Sequence, residues 1–376
     1  MYRIYADNVL IYSDAAPNKD RMAVNPELTM AAGSAGSLCI TLPKGCAGYD
    51  SLRLMGTTIT FERDLMPIWS GRALTEKRDM WGSRVLFCEG ALAFLNDTVY
   101  LNWHPEPGIG VGTAFEEVLN LHNNLPPIRE MEQNRWIYPG TCQMSGFYVS
   151  ERGEKSSLDA IQDMVSQFGG MLRMRYLNVA GSGETPVYRP YLDWLKDFPA
   201  AQTGAQTLEF DRNLLDFTRN WDMSNFVTYV YVEGAPGGTS GSLHYNSGWV
   251  YIADEPTPAS LYGRIEKKIV REELTSDLAC QQAAIDYLTY QQFGAMTLDV
   301  TALDLHMLDR RIRPFDLYDR VQVISRLHGL NAEFAVTGIK IRPEEPEKTA
   351  FTLEPVGIEY SPWLGSLTQV VYKNSR

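Results

Sequence analysis

Residues 57–90 read TTITFERDLMPIWSGRALTEKRDMWGSRVLFCEG, which is typical of a β-rich domain. The β-branched run 57–62 is followed by the apolar segments 67–74 and 84–90, which predicts three successive strands. Gly71 in the middle strand indicates a bulge or bend. The polar stretch 76–83, which ends in Gly-Ser, predicts the hairpin turn between the last two strands.

A second stretch repeats this pattern about 260 residues further along the chain. Both stretches contain a short strand, a compact linker, a second strand, a segment with glycine near its start, a charged turn and a last strand. The matching pieces are 38–42, 57–62, 70–74 and 84–90 in the first stretch, and 296–302, 319–325, 337–341 and 349–354 in the second. We interpret this as an internal duplication. A trimer of such a chain presents six similar units around one axis, which lets a three-fold object cap a six-fold tube.

Helical periodicity interrupts the two β-rich regions. Val111–Leu125 has apolar residues on one face, Ser156 or Ser157 opens a second helix that runs to Phe168, and a third helix is predicted from about Ser276 to Phe293. Residues 234–260, rich in glycine and proline, are predicted to form an exposed loop or irregular insert.

These patterns predict an α+β, mainly β fold with two similar tube-type β-barrel domains and two inserted peripheral α/β modules. The predicted domains are 1–104 for the first barrel, 105–205 for the first inserted module, 206–235 with 293–360 for the second barrel, 236–292 for a loop-plus-helix module and 361–376 for a C-terminal tail.

Composition excludes several classes of protein. The 376 residues are 44% hydrophobic and 21% charged, which is typical of a globular chain and not of a disordered one. The net charge of −12, without a basic stripe, disfavours nucleic-acid recognition. No apolar run approaches the roughly 18 residues of a membrane span, and the first residues lack a secretory signal, so we expect no membrane span and synthesis into a cytoplasm.

Five cysteines are present, at positions 39, 46, 88, 142 and 280. The count is odd and no CxxC pair occurs, which disfavours a zinc site. Cys39, Cys88 and Cys280 sit in apolar segments, and we predict buried thiols there.

Two histidines could take part in catalysis. His306 could serve a metal or acid–base role, although polar residues on a surface turn explain its surroundings more simply. His122 and Asn123 could join Cys142 in a Cys-His-Asn arrangement, whereas helix capping explains them without catalysis.

The remaining candidates have simpler explanations too. Paired carboxylates for glycoside hydrolysis could come from Glu116-Glu117 or Glu344-Glu345, but the members of each pair are adjacent in sequence, which is more typical of solvated charges. The glycine-rich stretch 234–241 lacks the Lys-Ser/Thr of a phosphate loop and is more simply a flexible insert. The eight tryptophans could bind sugars but suit core and interface positions, at 69, 81, 103, 136, 194, 221, 249 and 363. We therefore predict no enzyme, no catalytic, cofactor-binding or metal residues, and no cofactor.

Short motifs in a fixed order give a resemblance to a known family. The chain resembles the N-terminal hub region of phage tail-associated lysins, the tail endopeptidase proteins, and through them the central hubs of contractile-tail baseplates. The motifs lie at 35–38, 71–74, 88–97, 122–123, 169–172, 191–193, 206–210, 213–216 and 303–305.

The resemblance implies a homotrimeric structural hub at the virion tail tip, assembled in the bacterial host cytoplasm. It implies contacts with the distal tail ring and tail tube, the tape-measure protein, and a central fibre or lysin, with the hub closing the tail lumen. Many relatives continue into a lytic domain, whereas this chain ends at Arg376, so we expect the cutting module on another chain or absent. A cell-wall-active lysin or wall-binding module stays open as the alternative.

Overall fold

A computed structural model describes most of the chain. The described residues are 1–16, 21–100, 108–124, 135–148, 154–181, 184–200, 204–222, 224, 226–237, 244–251, 258–271, 274–291 and 295–356. The chain divides into two compact units, one formed by Met1–Asp216 with Val300–Leu353 and the other by Phe217–Asp299 with the residues from Glu354 onward. The predicted tail 361–376 lies outside the described residues.

The elements of the described residues follow in chain order. The strands are β1 (Tyr2–Ala6), β2 (Val9–Ser13), β3 (Val24–Ala31), β4 (Ser37–Leu42), β5 (Thr58–Arg63), β6 (Met66–Arg78), β7 (Arg84–Gly90), β8 (Val99–Tyr100), β9 (Tyr138–Cys142), β10 (Lys155–Ser156), β11 (Met171–Asn178), β12 (Tyr188–Leu195), β13 (Leu208–Glu209), β14 (Leu214–Asp222), β15 (Tyr229–Pro236), β16 (His244–Val250), β17 (Glu266–Val270), β18 (Ala295–Ala302), β19 (Arg320–Ser325), β20 (Leu330–Ile341) and β21 (Ala350–Pro355). The helices are α1 (Val111–Asn123), α2 (Ser157–Phe168), α3 (Pro258–Tyr262) and α4 (Asp277–Gln291).

One large sheet contains both halves of the predicted repeat. Within the described ranges it has thirteen strands, in the order β14-β18-β21-β20-β3-β4-β7-β6-β5-β1-β2, and β19 pairs with both β13 and β20. The first half contributes β4-β7-β6-β5 and the second β18-β21-β20-β19, so both have the same strand order. The mainly β fold with a repeated strand unit is confirmed, whereas the division into two barrels with the stated bounds stays a prediction.

Alternating burial explains why these segments form strands. In β5, Ile59 and Phe61 are buried and their neighbours are not, and in β19 Val321 and Val323 alternate in the same way. This period of two places one side-chain row in the core and the other towards solvent. The predicted strands begin at residue 38, yet β1, β2 and β3 precede it. β3 pairs with β4 on one side and β20 on the other, which joins the two halves.

The helices and strands between residues 108 and 195 lie in the first unit and share a core with Ala91, Leu92, Phe94 and Leu95 of the helical turn after β7. α1 and α2 pack with a three-stranded sheet of order β11-β12-β9, in which β12 pairs with β11 antiparallel and with β9 parallel. The Phe115 and Trp194 rings meet at 5.7 Å between centroids inside this core. Ser156 caps α2 in a reciprocal capping box with Asp159, so the predicted start of this helix is confirmed.

The second unit contains a small sheet covered by one helix. β15 pairs with β16 antiparallel and with β17 parallel, and α4 packs on the sheet through Cys280, Ala284 and Leu288. The prediction of a loop or irregular insert over 234–260 is wrong for 244–250, which form β16. Its run Asn246-Ser247-Gly248 hides the strand pattern, and pairing with β15 supplies the order that local sequence lacks.

Thiol burial varies between the five cysteines. Cys46, Cys88 and Cys280 are buried, whereas Cys39 and Cys142 are half-buried, and all five are free thiols. The prediction of a buried thiol is thus confirmed for Cys88 and Cys280 but wrong for Cys39, whose strand turns it to the less covered face of the sheet. In the part of the chain that the structure describes, no helix has the length and apolarity needed to cross a membrane.

Candidate functional site

Arg72 is the centre of a buried charge cluster on β6. Its Nε donates to Glu89 Oε1 at 2.7 Å, and its Nη2 donates to Asp97 Oδ1 at 2.9 Å. The guanidinium lies 5.1 Å from the centroid of the Phe94 ring. Planar, bidentate pairing of this kind fixes orientation as well as charge. Two short motifs of the resemblance, 71–74 and 88–97, therefore meet in one place and hold the strand pair against the helical turn that follows β7.

Glycine is needed beside this cluster because three backbones come close together. Gly71 and Gly90 are direct partners across β6 and β7. A Cβ on Gly71 would overlap the carbonyl oxygen of Glu89, and one on Gly90 would overlap that of Ala35. The Trp69 indole lies over both glycines and donates to the Ala35 carbonyl at 3.2 Å. Gly71 thus serves close packing, and the register shift lies beyond it, between Ala73 and Thr75.

Asp193 organises the inserted module in a similar way. Its carboxylate is fully buried and accepts hydrogen bonds from the guanidinium groups of Arg173 and Arg175 and from the backbone of Thr141. Burial alone would raise the pKa of Asp193, but the hydrogen bonds from Arg175, Thr141 and Arg173 lower it, so the group stays ionised. Its motif, 191–193, is therefore structural.

Asp304 shapes the segment that leads to β19. Its carboxylate accepts from the backbone of His306 at 3.0 Å and from the backbone of Phe315 at 3.3 Å. Gln206 donates to the carboxylate and accepts from the backbone of Leu305 at 3.0 Å. Arg63, at the end of β5, reaches the same segment through the Phe315 carbonyl at 2.9 Å. The motifs at 206–210 and 303–305 thus fix a long linker against the first half of the sheet.

His306, the first candidate catalytic residue, takes part in an ion cluster. Its Nε2 contacts Asp64 Oδ2 and its Nδ1 contacts the Ile312 carbonyl at 2.6 Å. Asp64 also accepts from the Met1 amino group at 2.9 Å and from Arg310 at 2.8 Å. Partial burial raises the pKa of Asp64, but hydrogen bonds from His306 and the amino group outweigh it and lower the pKa to about 2.

His122 and Asn123 form hydrogen bonds with residues other than Cys142, so the Cys-His-Asn arrangement is not observed. His122 Nδ1 lies 2.7 Å from Thr98 Oγ1 and its Nε2 lies 3.1 Å from the Arg135 carbonyl. The Asn123 side-chain amide donates to the Ile137 carbonyl at 2.8 Å and accepts from the Ile137 backbone N–H at 2.9 Å. Burial raises the pKa of the Cys142 thiol, which disfavours the thiolate that a nucleophile needs. These bonds attach α1 to the chain before β9.

The paired glutamates bind neighbouring backbone and side-chain groups. Glu344 accepts from the backbone of Asn25 at 3.1 Å and Glu345 pairs with Lys348 at 2.6 Å, while Glu116 and Glu117 lie on the less buried face of α1. Gly238–Gly241 of the glycine-rich stretch lie outside the described residues. Within the ranges that the structure covers, no group of three His, Cys, Asp or Glu side chains is arranged to hold a metal ion.

The tryptophans divide between core and surface. Trp69 and Trp194 are buried, whereas Trp249 and especially Trp81 are exposed. Trp103 and Trp363, and the side chain of Trp221, lie outside the described residues.

A cleft of about 540 Å³ opens in the first unit between β6, β11 and the linker before β19. Tyr176 closes part of it, since its hydroxyl accepts from the backbone of Ser70 at 2.8 Å. Tyr318, in the left-handed region with φ of 74°, accepts from the backbone of Gly33 at 3.0 Å and donates to the Leu172 carbonyl. Burial raises the pKa of Tyr318 to about 12. These hydroxyls bind backbone groups of β6, of the turn after β3 and of β11, and so hold the inserted sheet against the large one.

Large apolar side chains are exposed at hairpin turns. The β5–β6 turn carries Leu65, the β19–β20 turn carries Leu327, and the β6–β7 turn carries Met80 and Trp81. Leu65, Leu327 and Met80 were not predicted to be exposed, because a turn with an apolar tip resembles the end of a strand until the pairing is known.

Residues 201–357 match the family model described as prophage endopeptidase tail. The match falls on the second half of the repeat and on the second unit, and it confirms the resemblance to phage tail proteins. None of the curated proteins compared with the sequence matches it.

Solved structures of prophage tail proteins have the same fold over nearly the whole chain. The gp18 tail protein of a Listeria monocytogenes prophage is 12% identical with a TM-score of 0.56, covering 99% of both chains. The 43 kDa tail protein of prophage MuSo2 from Shewanella oneidensis is 10% identical with a TM-score of 0.60, covering 94% of this chain and 98% of its own. A tail protein of Neisseria meningitidis is 15% identical with a TM-score of 0.58, covering 89% and 92%. The mainly β tail-protein fold therefore extends beyond the matched domain.

Proposed function

We propose that this chain is the structural hub of a tail tip, in a bacteriophage or a phage-derived particle, and that it acts as a homotrimer. The observation that carries the proposal is the repeated strand order, β4-β7-β6-β5 and β18-β21-β20-β19, within one chain. Three chains with two such units each place six similar units around an axis, which fits a junction between six-fold and three-fold structures.

In this proposal the hub joins the distal tail ring and tail tube to a central fibre or lysin, and it closes the tail lumen where the tape-measure protein ends. The protein is then assembled in the bacterial host cytoplasm and resides at the virion tail tip. The inserted module with α1 and α2 lies away from the axis, because a central position would obstruct the lumen.

A structural role also agrees with the chemistry of the candidate residues. His122, His306 and Asp193 all bind backbone or ionic partners that hold elements together. The alternative, a cell-wall-active lysin, is favoured by one observation, the word endopeptidase in the description of the matched family.

Native mass spectrometry of the purified chain tests the proposal, together with chain counting in tail particles by cryo-electron microscopy. A trimer has three times the 42.4 kDa of one chain. We expect three copies in particles, and three in solution if the trimer forms without its neighbours. One copy in both settings would overturn the hub assignment.

A further inference from the structure

The β6–β7 hairpin ends in a tip that exposes two large apolar side chains. Met80 is 87% exposed and Trp81 is 77% exposed. An indole has an apolar body and one polar N–H, and tryptophan is enriched where proteins meet the boundary between water and lipid. The corresponding β20–β21 connection, 342–349, reads RPEEPEKT and contains no large apolar side chain. The apolar tip is therefore a property of the first repeated unit and not a requirement of the hairpin.

Hydrogen bonds hold this tip in one conformation. The Asp79 carboxylate accepts from the backbone of Trp81 at 2.9 Å and of Ser83 at 2.8 Å, and the Asp79 backbone donates to the Ser83 carbonyl at 3.1 Å. Gly82, with φ of 86°, lies in the left-handed region that closes the turn. The N–H groups offset part of the negative charge of Asp79, and an ordered tip loses little conformational entropy when it binds.

Basic residues surround the base of the tip. Segments 44–53 and 76–84 meet here, since the Tyr49 hydroxyl donates to the Gly82 carbonyl. Together they contain five basic and three acidic residues, whereas the whole chain has 34 lysines and arginines and 46 aspartates and glutamates. Arg78 pairs with Glu76, while Lys44 and Lys77 form no ion pair with a described carboxylate. We call Lys44, Lys77 and Arg78, all exposed, the basic collar.

The distance between collar and tip matches the depth of a membrane interface. A strand rises about 3.4 Å per residue, which puts Lys77, three residues before Met80, within about 10 Å of the tip. Interfacial segments bury their apolar groups about 5–10 Å into the boundary between headgroups and acyl chains. An inserted tip therefore leaves the collar level with the lipid phosphates, and long basic side chains extend readily towards them.

The net charge of −12 does not oppose this contact strongly. At physiological ionic strength, charges are screened over about 8 Å, so acidic groups far from the tip have little effect at the lipid surface. The collar lies within that distance of the phosphates when the tip is inserted. Each basic residue next to an anionic membrane strengthens binding by about five-fold.

We propose that the Met80–Trp81 tip and its basic collar insert into the surface of a membrane that contains anionic phospholipid. The indole and the thioether enter the boundary between headgroups and acyl chains, and the collar contacts the phosphates. A lipid surface complements this arrangement because it offers apolar depth beneath an anionic layer. The inference goes beyond the proposed hub function, and one chain is sufficient for the contact.

Cosedimentation of the purified chain with lipid vesicles tests the proposal. Vesicles of phosphatidylglycerol mixed with phosphatidylcholine are compared with vesicles of phosphatidylcholine alone. We expect the chain to bind the mixed vesicles several-fold more strongly, and less as salt is added. Trp81→Ser, and Lys44→Gln combined with Lys77→Gln, should each lower the affinity several-fold. Leu278→Asn should bind as the parent does, because it removes a similarly exposed side chain from α4, away from the collar.

Fluorescence quenching by brominated lipid shows which indole enters the membrane, and it does not require a variant that loses binding. Trp81→Phe keeps an aromatic ring at the tip, so it should still bind but lose the quenching that the parent shows. Trp249→Phe, at another exposed tryptophan, should keep that quenching.

Three results would overturn the proposal. Absence of binding to the mixed vesicles would leave a protein interface as the occupant of the tip. Equal binding to both kinds of vesicle would remove the role of the collar, and quenching that persists in Trp81→Phe would place the lipid contact elsewhere. Failure of the hub proposal is seen separately, as one copy of the chain both in solution and in tail particles.

Discussion

Gly71 and Gly90 are direct cross-strand partners, with the Trp69 indole over both. At this point β6, β7 and the backbone around Ala35 come as close as main chains can. Arg72 and Glu89, the next pair in register, form the ion pair beside them. A close approach and a buried charge cluster therefore share one site in the first repeated unit.

Gly90→Ala tests the close approach. The new Cβ overlaps the Ala35 carbonyl oxygen, which is backbone and cannot move aside cheaply. We expect a loss of about 3 kcal/mol or more in unfolding free energy, measured by denaturant titration. Gly56→Ala is the matched control, because its Cβ meets the Arg53 Cβ at 3.5 Å and the Leu54 and Arg53 carbonyl oxygens at 3.8 and 3.9 Å, all ordinary contact distances. Equal stability of the two variants would contradict this account.

Arg72→Met tests the charge cluster. Removing the guanidinium takes the cation from Glu89 and leaves Asp97 with Arg135, 3.5 Å away, in a partly buried site. We expect a loss of about 3 kcal/mol in unfolding free energy. Arg311→Met is the control, since Arg311 pairs with Asp309 at the exposed surface and should change stability little. A similar loss in both variants would mean that burial does not set the strength of the pair.

The Asp64–His306 contact predicts a pH dependence. Because the pKa of Asp64 is lowered to about 2, its ionised form stabilises the fold above the ordinary carboxyl pKa, and this contribution is lost as pH falls towards 2. Asp64→Asn should lower the unfolding free energy by about 1 kcal/mol near neutral pH, since solvent screens part of the interaction. The difference from the parent protein should narrow on acidification. A constant difference between neutral pH and pH 3 would show that Asp64 does not act through its charge.

Zymography against purified cell walls separates the hub from the lysin alternative. We expect no clearing by the purified chain, because His122 and Cys142 hold structural positions and burial raises the pKa of the thiol. Cys142→Ser and His306→Gln should behave as the parent does. Reproducible clearing that disappears on substitution of one polar residue would establish a catalytic site.

The sequence alone determined the strand pattern. Alternating apolar residues in segments such as 57–62 and 319–325 can bury one face only as strands, so the repeat could be read before any coordinates. Ser156 and Asp159 likewise predict their helix start, because a capping box needs only neighbouring residues. The motifs 71–74, 88–97 and 206–210 predicted the resemblance to tail proteins. They did not predict which contacts their residues make.

The contacts that those motifs make, and the exposure of individual side chains, depend on the tertiary fold. Arg72 meets Asp97, and Asp64 meets His306 across 242 positions, through strand pairing and linker paths that have no local signature. The strand order that merges both halves into one sheet, and the placement of β15 beside β16 and β17, also depend on long-range pairing. The exposure of Leu65, Leu327 and Trp81 follows from that pairing, because a side chain at the tip of a hairpin has no strand beside it to cover it.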